Sequence, residues 1–164
     1  MRIDEFNGLP AAQAASLLRS CADADRWVET LVAKRPYPDV ATLMAVADQL
    51  TEEWTDDDVE RALAHHPRIG ERPTGEGAEV AMSRGEQAGV DASDTDLARR
   101  LAEGNRRYEE RFGRIYLVRA KGRTGNELVS LLEERLENDP EAELAITTQQ
   151  LREIAVLRLE GLFA

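Results

Sequence analysis

The chain has 164 residues, about the size of one domain able to bury a core without disulfides or metals, and its formal charge of -11 argues against nucleic acid or anionic membrane as the main partner. With 42% hydrophobic, 32% charged and only 5% aromatic residues, it reads as a soluble globular protein whose interior is filled by Leu, Ala, Val and Ile. Cys21 is the one cysteine, so a disulfide within the chain is excluded and a thiolate metal site lacks partners; with acids near Met1 and no long apolar run, a cytoplasmic protein is expected.

Asn7-Gly8-Leu9-Pro10 reads as a turn leading into a first helix, where Ala14, Leu17, Leu18 and Cys21 share a face. A second helix starts near Asp23, carries Trp27, Val28, Leu31 and Val32, and stops at Arg35-Pro36 because a proline disfavours helical geometry before it. The third, Asp39 to Leu50, buries Val40, Leu43, Met44 and Ala47. Thr55 followed by Asp56, Asp57 and Asp58 opens a fourth with a hydroxyl cap and acids at the positive end of the dipole; it ends at His65-His66, before Pro67.

Arg68 to Gly77 holds too many glycines and prolines for regular structure and forms a loop of the kind that often serves a site. Glu79 to Ala88 is a short fifth helix, and Thr95 to Phe112 a long sixth with Leu97, Leu101, Asn105, Tyr108 and Phe112 at helical spacing. Ile115 to Val118 is apolar but too short for a helix, so it is read as an extended, buried run lacking a strand partner. Thr124-Gly125-Asn126-Glu127 makes a capping box for a seventh helix, and Glu141 to about Leu162 forms the last. The expectation is an all-α, single-domain bundle of about eight helices spanning residues 1–164.

Chemistry-bearing residues are few. A histidine at a helix end before a proline can simply cap the last carbonyls, but here a Pro/Gly-rich loop and an acid-amide cluster follow. Adjacent helical residues point about 100° apart, so His65 and His66 cannot both face one site. Ser83, Glu86 and Gln87 lie three and four apart and present a hydroxyl, a carboxylate and an amide on one helical face. A His brought to a Glu gains proton affinity and suits proton transfer near neutrality. Val118 to Arg123 is an extended backbone ending in Lys121 and Arg123, equally consistent with solvated cations and with contacts to a small anion. Zinc, P-loop and Gly-x-Ser-x-Gly patterns are absent, so neither metal nor nucleotide cofactor is expected. The residues describe a pocket for a small, polar, anionic molecule.

At these segments the chain resembles the 2-oxo-4-hydroxy-4-carboxy-5-ureidoimidazoline (OHCU) decarboxylases, which complete the conversion of urate to (S)-allantoin. The matching blocks run in order: Phe6-Asn7, His66-Pro67-Arg68-Ile69-Gly70, Ser83-Arg84-Gly85-Glu86-Gln87, Asn105 with Tyr108 and Phe112-Gly113, Ile115 to Val118, Ala120 to Arg123, and Leu151 to Ile154 with Leu157-Arg158-Leu159. The resemblance implies an all-helical, often dimeric fold and decarboxylation of a small-molecule substrate without a cofactor. It makes His66 the key catalytic residue and gives Glu86 a catalytic or orienting role. Pro67, Ser83 and Gln87 would contact substrate, and Val118, Arg119, Ala120, Lys121 and Gly122 would line its ring through backbone groups. His65, Arg114 and the stretch from Glu71 to Ala78 depart from the family pattern, which affects the shape of the loop. Arg158, though matched, is read as a tie between helices. The rival readings are an acidic helical interaction module and a hydrolase acting on a related ureide.

Overall fold

Short polar side chains open five of the helices; at the last of them Asp139 accepts from the Ala142 amide at 2.9 Å. Thr55 and Thr124 accept from the amides of Asp58 and Glu127, whose carboxylates accept in turn from the threonine amides. Asp39 and Asp94 accept from the Thr42 and Leu97 amides. These bonds satisfy amides that have no partner inside the first turn.

The computed structural model describes all 164 residues. It is all-helical, as expected, in the order α1 (Ile3–Gly8), α2 (Ala11–Cys21), α3 (Asp25–Ala33), α4 (Val40–Thr51), α5 (Asp56–Leu63), α6 (Ala78–Glu86), α7 (Thr95–Phe112), α8 (Gly125–Leu136) and α9 (Pro140–Leu162). The helix beyond the expected eight is α1. Its six residues carry one buried apolar side chain, Phe6, which is too few to show a period, and Asn7-Gly8 reads locally as a turn.

The residues group into two packing units, Met1–His65 with Arg152–Ala164, and His66–Leu151, so α9 contributes to each. In the first unit α2 packs on α3 and α3 on α4 around Phe6, Leu18, Trp27, Leu31, Leu43 and Ala47. Asn7 explains its place among the matched residues, because its amide exchanges two bonds with the Tyr37 backbone at 2.8 and 2.9 Å. Arg35 donates to the Phe6 and Leu9 carbonyls at the end of α1. Arg158 is buried and donates to the Ser20 carbonyl at 3.3 Å, so it does tie α9 to α2.

In the second unit α7 packs closely on α8. A Cβ on Gly104 would lie 2.3 Å from Leu132 Cδ2, so any larger residue there would force that leucine to shift. The shared core runs through Ile69, Leu101, Tyr108, Tyr116, Val118 and Leu128. An aliphatic interior was expected from the low aromatic content, and this is corrected in one respect. Phe6, Trp27, Tyr37, Tyr108, Phe112 and Tyr116 are all buried, so the few aromatics are concentrated inside, where each covers the largest area per residue. No helix is long and apolar enough to cross a membrane.

Candidate active site

The site is built on the second unit. α5 stops at Leu63, and the chain runs through His66 and Pro67 without regular structure, as a proline demands of the residue before it. His66 and Pro67 are half-buried, whereas Ile69 is inserted into the core. Three side chains hold this loop. Asn105 Nδ2 donates to the Ile69 carbonyl at 2.9 Å. Arg68 forms a two-pronged pair with Glu109, with Nε 3.0 Å from Oε2 and Nη2 2.7 Å from Oε1. Gln87 accepts from the Gly70 amide at 3.0 Å and donates to the Arg68 carbonyl at 3.5 Å.

On α6, Ser83 is buried, Glu86 is the half-buried last residue, and Gln87 is the C-cap. The Gln87 amide was expected to meet substrate, and its head group is already engaged with the loop. An amide offers two donor hydrogens and two lone pairs, so these bonds leave capacity for a ligand as well. Immediately beyond, a Cβ on Gly89 would fall 2.2 Å from the Arg123 carbonyl oxygen, so the turn after α6 lies directly against the end of the 118–123 segment. The C-terminal end of α6 therefore joins both the His66 loop and that segment, and Ile69, Val118 and Ala120 enter one core cluster. Replacing Gly89 with alanine is expected to cost about 1–3 kcal/mol in urea unfolding, because backbone on both sides must shift.

Within the extended run, Val118 and Ala120 are buried, Arg119 is half-buried, and Lys121 and Gly122 are exposed. The run has no strand partner, in agreement with the sequence reading. The Arg119 amide donates to Gln150 Oε1 at 2.9 Å, and the Leu117 carbonyl accepts from Arg135. Beneath it, Arg135 pairs with Glu143, to which Tyr108 also donates. Burial, aided by the Glu143 carboxylate, pushes the Tyr108 phenol up to about 12, and burial raises Tyr116 further. Both phenols stay protonated at neutral pH and act as donors.

His65 is occupied elsewhere. Its Nε2 lies 3.0 Å from Asp23 Oδ2 in the first unit, and Asp23 also holds Arg19 at 2.7 Å. A cavity of about 520 Å³ lies along the α7 side of the loop, lined by Arg68, Gly70, Leu101, Asn105 and Glu109 among others, and not by His66, Ser83 or Glu86. No three of the His, Cys, Asp or Glu residues come together as a metal-holding group. Sequence reasoning did not find Glu109, Arg135, Glu143 and Gln150. Each sits in a helix rich in charged or polar residues, where nothing local separates an inward-facing group from a solvated one.

A family model described as OHCU decarboxylase matches residues 7–160. The chain is 23% identical over 164 residues to the uric acid degradation bifunctional protein of Bacillus sp. (strain TB-90), covering 99% of this chain and 32% of that one. It is 35% identical over 99 residues to the 2-oxo-4-hydroxy-4-carboxy-5-ureidoimidazoline decarboxylase of Amia calva, covering 59% of this chain and 57% of that one. It thus spans about a third of the first relative and somewhat over half of the second. A crystal structure of OHCU decarboxylase in the presence of (S)-allantoin superposes with a TM-score of 0.73 at 27% identity, covering 87% of this chain and 94% of that one.

Proposed function

This chain belongs to the OHCU decarboxylase family, and from that premise we propose that it decarboxylates 2-oxo-4-hydroxy-4-carboxy-5-ureidoimidazoline to (S)-allantoin. The observation that carries the reading is the junction at the end of α6, where Gln87 is bonded to the His66 loop and Gly89 abuts the carbonyl of Arg123. A loop carrying the acid-base residue and a backbone able to grip a planar ring are thereby fastened to the helix that bears Ser83 and Glu86.

In the reaction the bond from ring C4 to its carboxylate breaks, carbon dioxide leaves, and the electron pair moves into the adjoining C=N unit of the imidazoline, whose nitrogen takes a proton; the enol so formed becomes a carbonyl when the ureido-bearing carbon is protonated. That C=N unit does what a pyridoxal or thiamine electron sink does elsewhere, so the protein's task is to orient and to protonate. His66, steered by Glu86, engages the carboxylate and hydroxyl region and manages the proton. Pro67, Ser83, Gln87 and the backbone from Val118 to Gly122 hold the ring in place. Protonation on one face yields one enantiomer. A cytosolic setting accords with the single buried thiol.

The test generates the unstable intermediate from urate in situ and follows its ultraviolet decay together with product circular dichroism. The chain is expected to speed decay, release carbon dioxide and give (S)-allantoin in excess. Decay at the spontaneous rate with racemic product would overturn the reading, and a product that retains the carboxylate would point to hydrolysis.

A further inference from the structure

The 114–123 segment is without a strand partner, so its buried amides and carbonyls must be met by side chains, by turns or by a ligand. In an extended chain, residues two apart direct their N–H and C=O groups to the same side and the residue between directs its own to the other. The observed bonds follow that alternation. Leu117 gives its carbonyl to Arg135 and Arg119 its amide to Gln150, while Ala120 gives its carbonyl to the Arg123 amide in a turn. By that alternation Val118, between the two anchors, faces its N–H and C=O away from Arg135 and Gln150.

The Arg135 anchor is itself held rigid. The side chain is 7% exposed; its Nε donates to Glu143 Oε1 at 2.6 Å, and its Nη2 to Thr147 Oγ1 at 3.1 Å. The guanidinium also lies against the rings of Tyr116 and Tyr108, 4.9 and 5.7 Å from their centroids. A planar fork fixed on several sides can aim one N–H at a single carbonyl, which a flexible ammonium does not do. Buried ion pairs add little to stability compared with apolar packing, so this one is better understood through the geometry it imposes. Gln150, half-buried on α9, accepts from the Arg119 amide through its Oε1.

We propose that Gln150 and Arg135 are positioning residues that set the Val118 peptide groups against the substrate ring, an inference resting on the ring-lining role given above to residues 118–122. Contacts of this kind act alike on bound substrate and transition state, so their loss raises KM and spares kcat.

The test compares Gln150→Leu, which removes the acceptor at similar size, with Gln150→Glu, which keeps an oxygen there. For the leucine variant KM is expected to rise about tenfold with kcat within about threefold, and the Arg119 amide to exchange its hydrogen faster. Gln150→Glu should restore both. Arg135→Lys, which keeps the charge and loses the fork, should move KM the same way; if it fails to fold, the Gln150 pair decides. Wild-type turnover with an unchanged KM in Gln150→Leu overturns the positioning role and leaves the function intact. Absence of wild-type turnover overturns the function and the ring-lining role with it. Unchanged exchange at Arg119 overturns the anchoring in either case.

Discussion

On the proposed function, His66→Ala is expected to lower kcat/KM for ureidoimidazoline decarboxylation by about 10²–10⁴-fold, the usual effect of removing a positioned acid-base group, while His65→Ala is expected to stay within about twofold of the parent. The reason lies in the different company of two adjacent histidines. His65 is about half exposed and pairs with Asp23 at 3.0 Å in the first unit. A surface pair of that kind contributes at most about 1 kcal/mol to stability and nothing to a reaction elsewhere. His66 opens the second unit, next to a loop held by Gln87, Asn105 and Glu109. The measurement is the initial rate of ultraviolet decay and the enantiomeric excess of allantoin, with far-ultraviolet circular dichroism to check folding. Equal losses in the two variants would remove the distinction. A catalytically normal His66→Ala would remove His66 from the chemistry.

Glu143→Ala destabilises the protein by about 3–5 kcal/mol in urea unfolding, because it leaves the Arg135 guanidinium buried without its counter-charge. Glu143 is fully buried and takes bonds from Arg135, from the Tyr108 hydroxyl and, at 3.2 Å, from Asn138 Nδ2. Three donors lose their acceptor at once, and unsatisfied buried donors cost more than the bonds contributed. Replacing both partners, as in Arg135→Met with Glu143→Leu, should recover much of the lost stability, since apolar groups of similar volume often match a buried pair. The double variant should still bind substrate poorly, because the Leu117 carbonyl has lost its anchor. A Glu143→Ala midpoint close to the parent's would mean that water or another cation reaches the pocket.

Helix positions were legible because they rest on local chemistry. The cap boxes at Thr55 and Thr124, the prolines after Arg35 and His66, and the apolar spacing from Leu97 to Phe112 act within a few residues of themselves. α1 was missed because a six-residue helix with one core contact has no period to detect, and its end is held by Arg35, some thirty residues along the chain. Among the site residues, Ser83, Glu86 and Gln87 could be grouped because one helical turn brings them together. That Gln87 also clamps the loop backbone was not legible, since loop conformation depends on partners distant in sequence.

The sequence by itself determined the helical class, the places where helices begin and stop, and the family whose ordered blocks it carries. Those depend on local backbone preference and on residue identities read in order. The tertiary structure alone decided which polar groups face inward. Arg135 stands in the run Glu133-Glu134-Arg135, where a solvated face is the ordinary reading, yet it is buried against Glu143 and holds Leu117. That His65 pairs with Asp23 in the first unit while His66 opens the second is decided only by folding. Burial and pairing are long-range quantities, set by which helices pack together, and no window of sequence around a residue contains them.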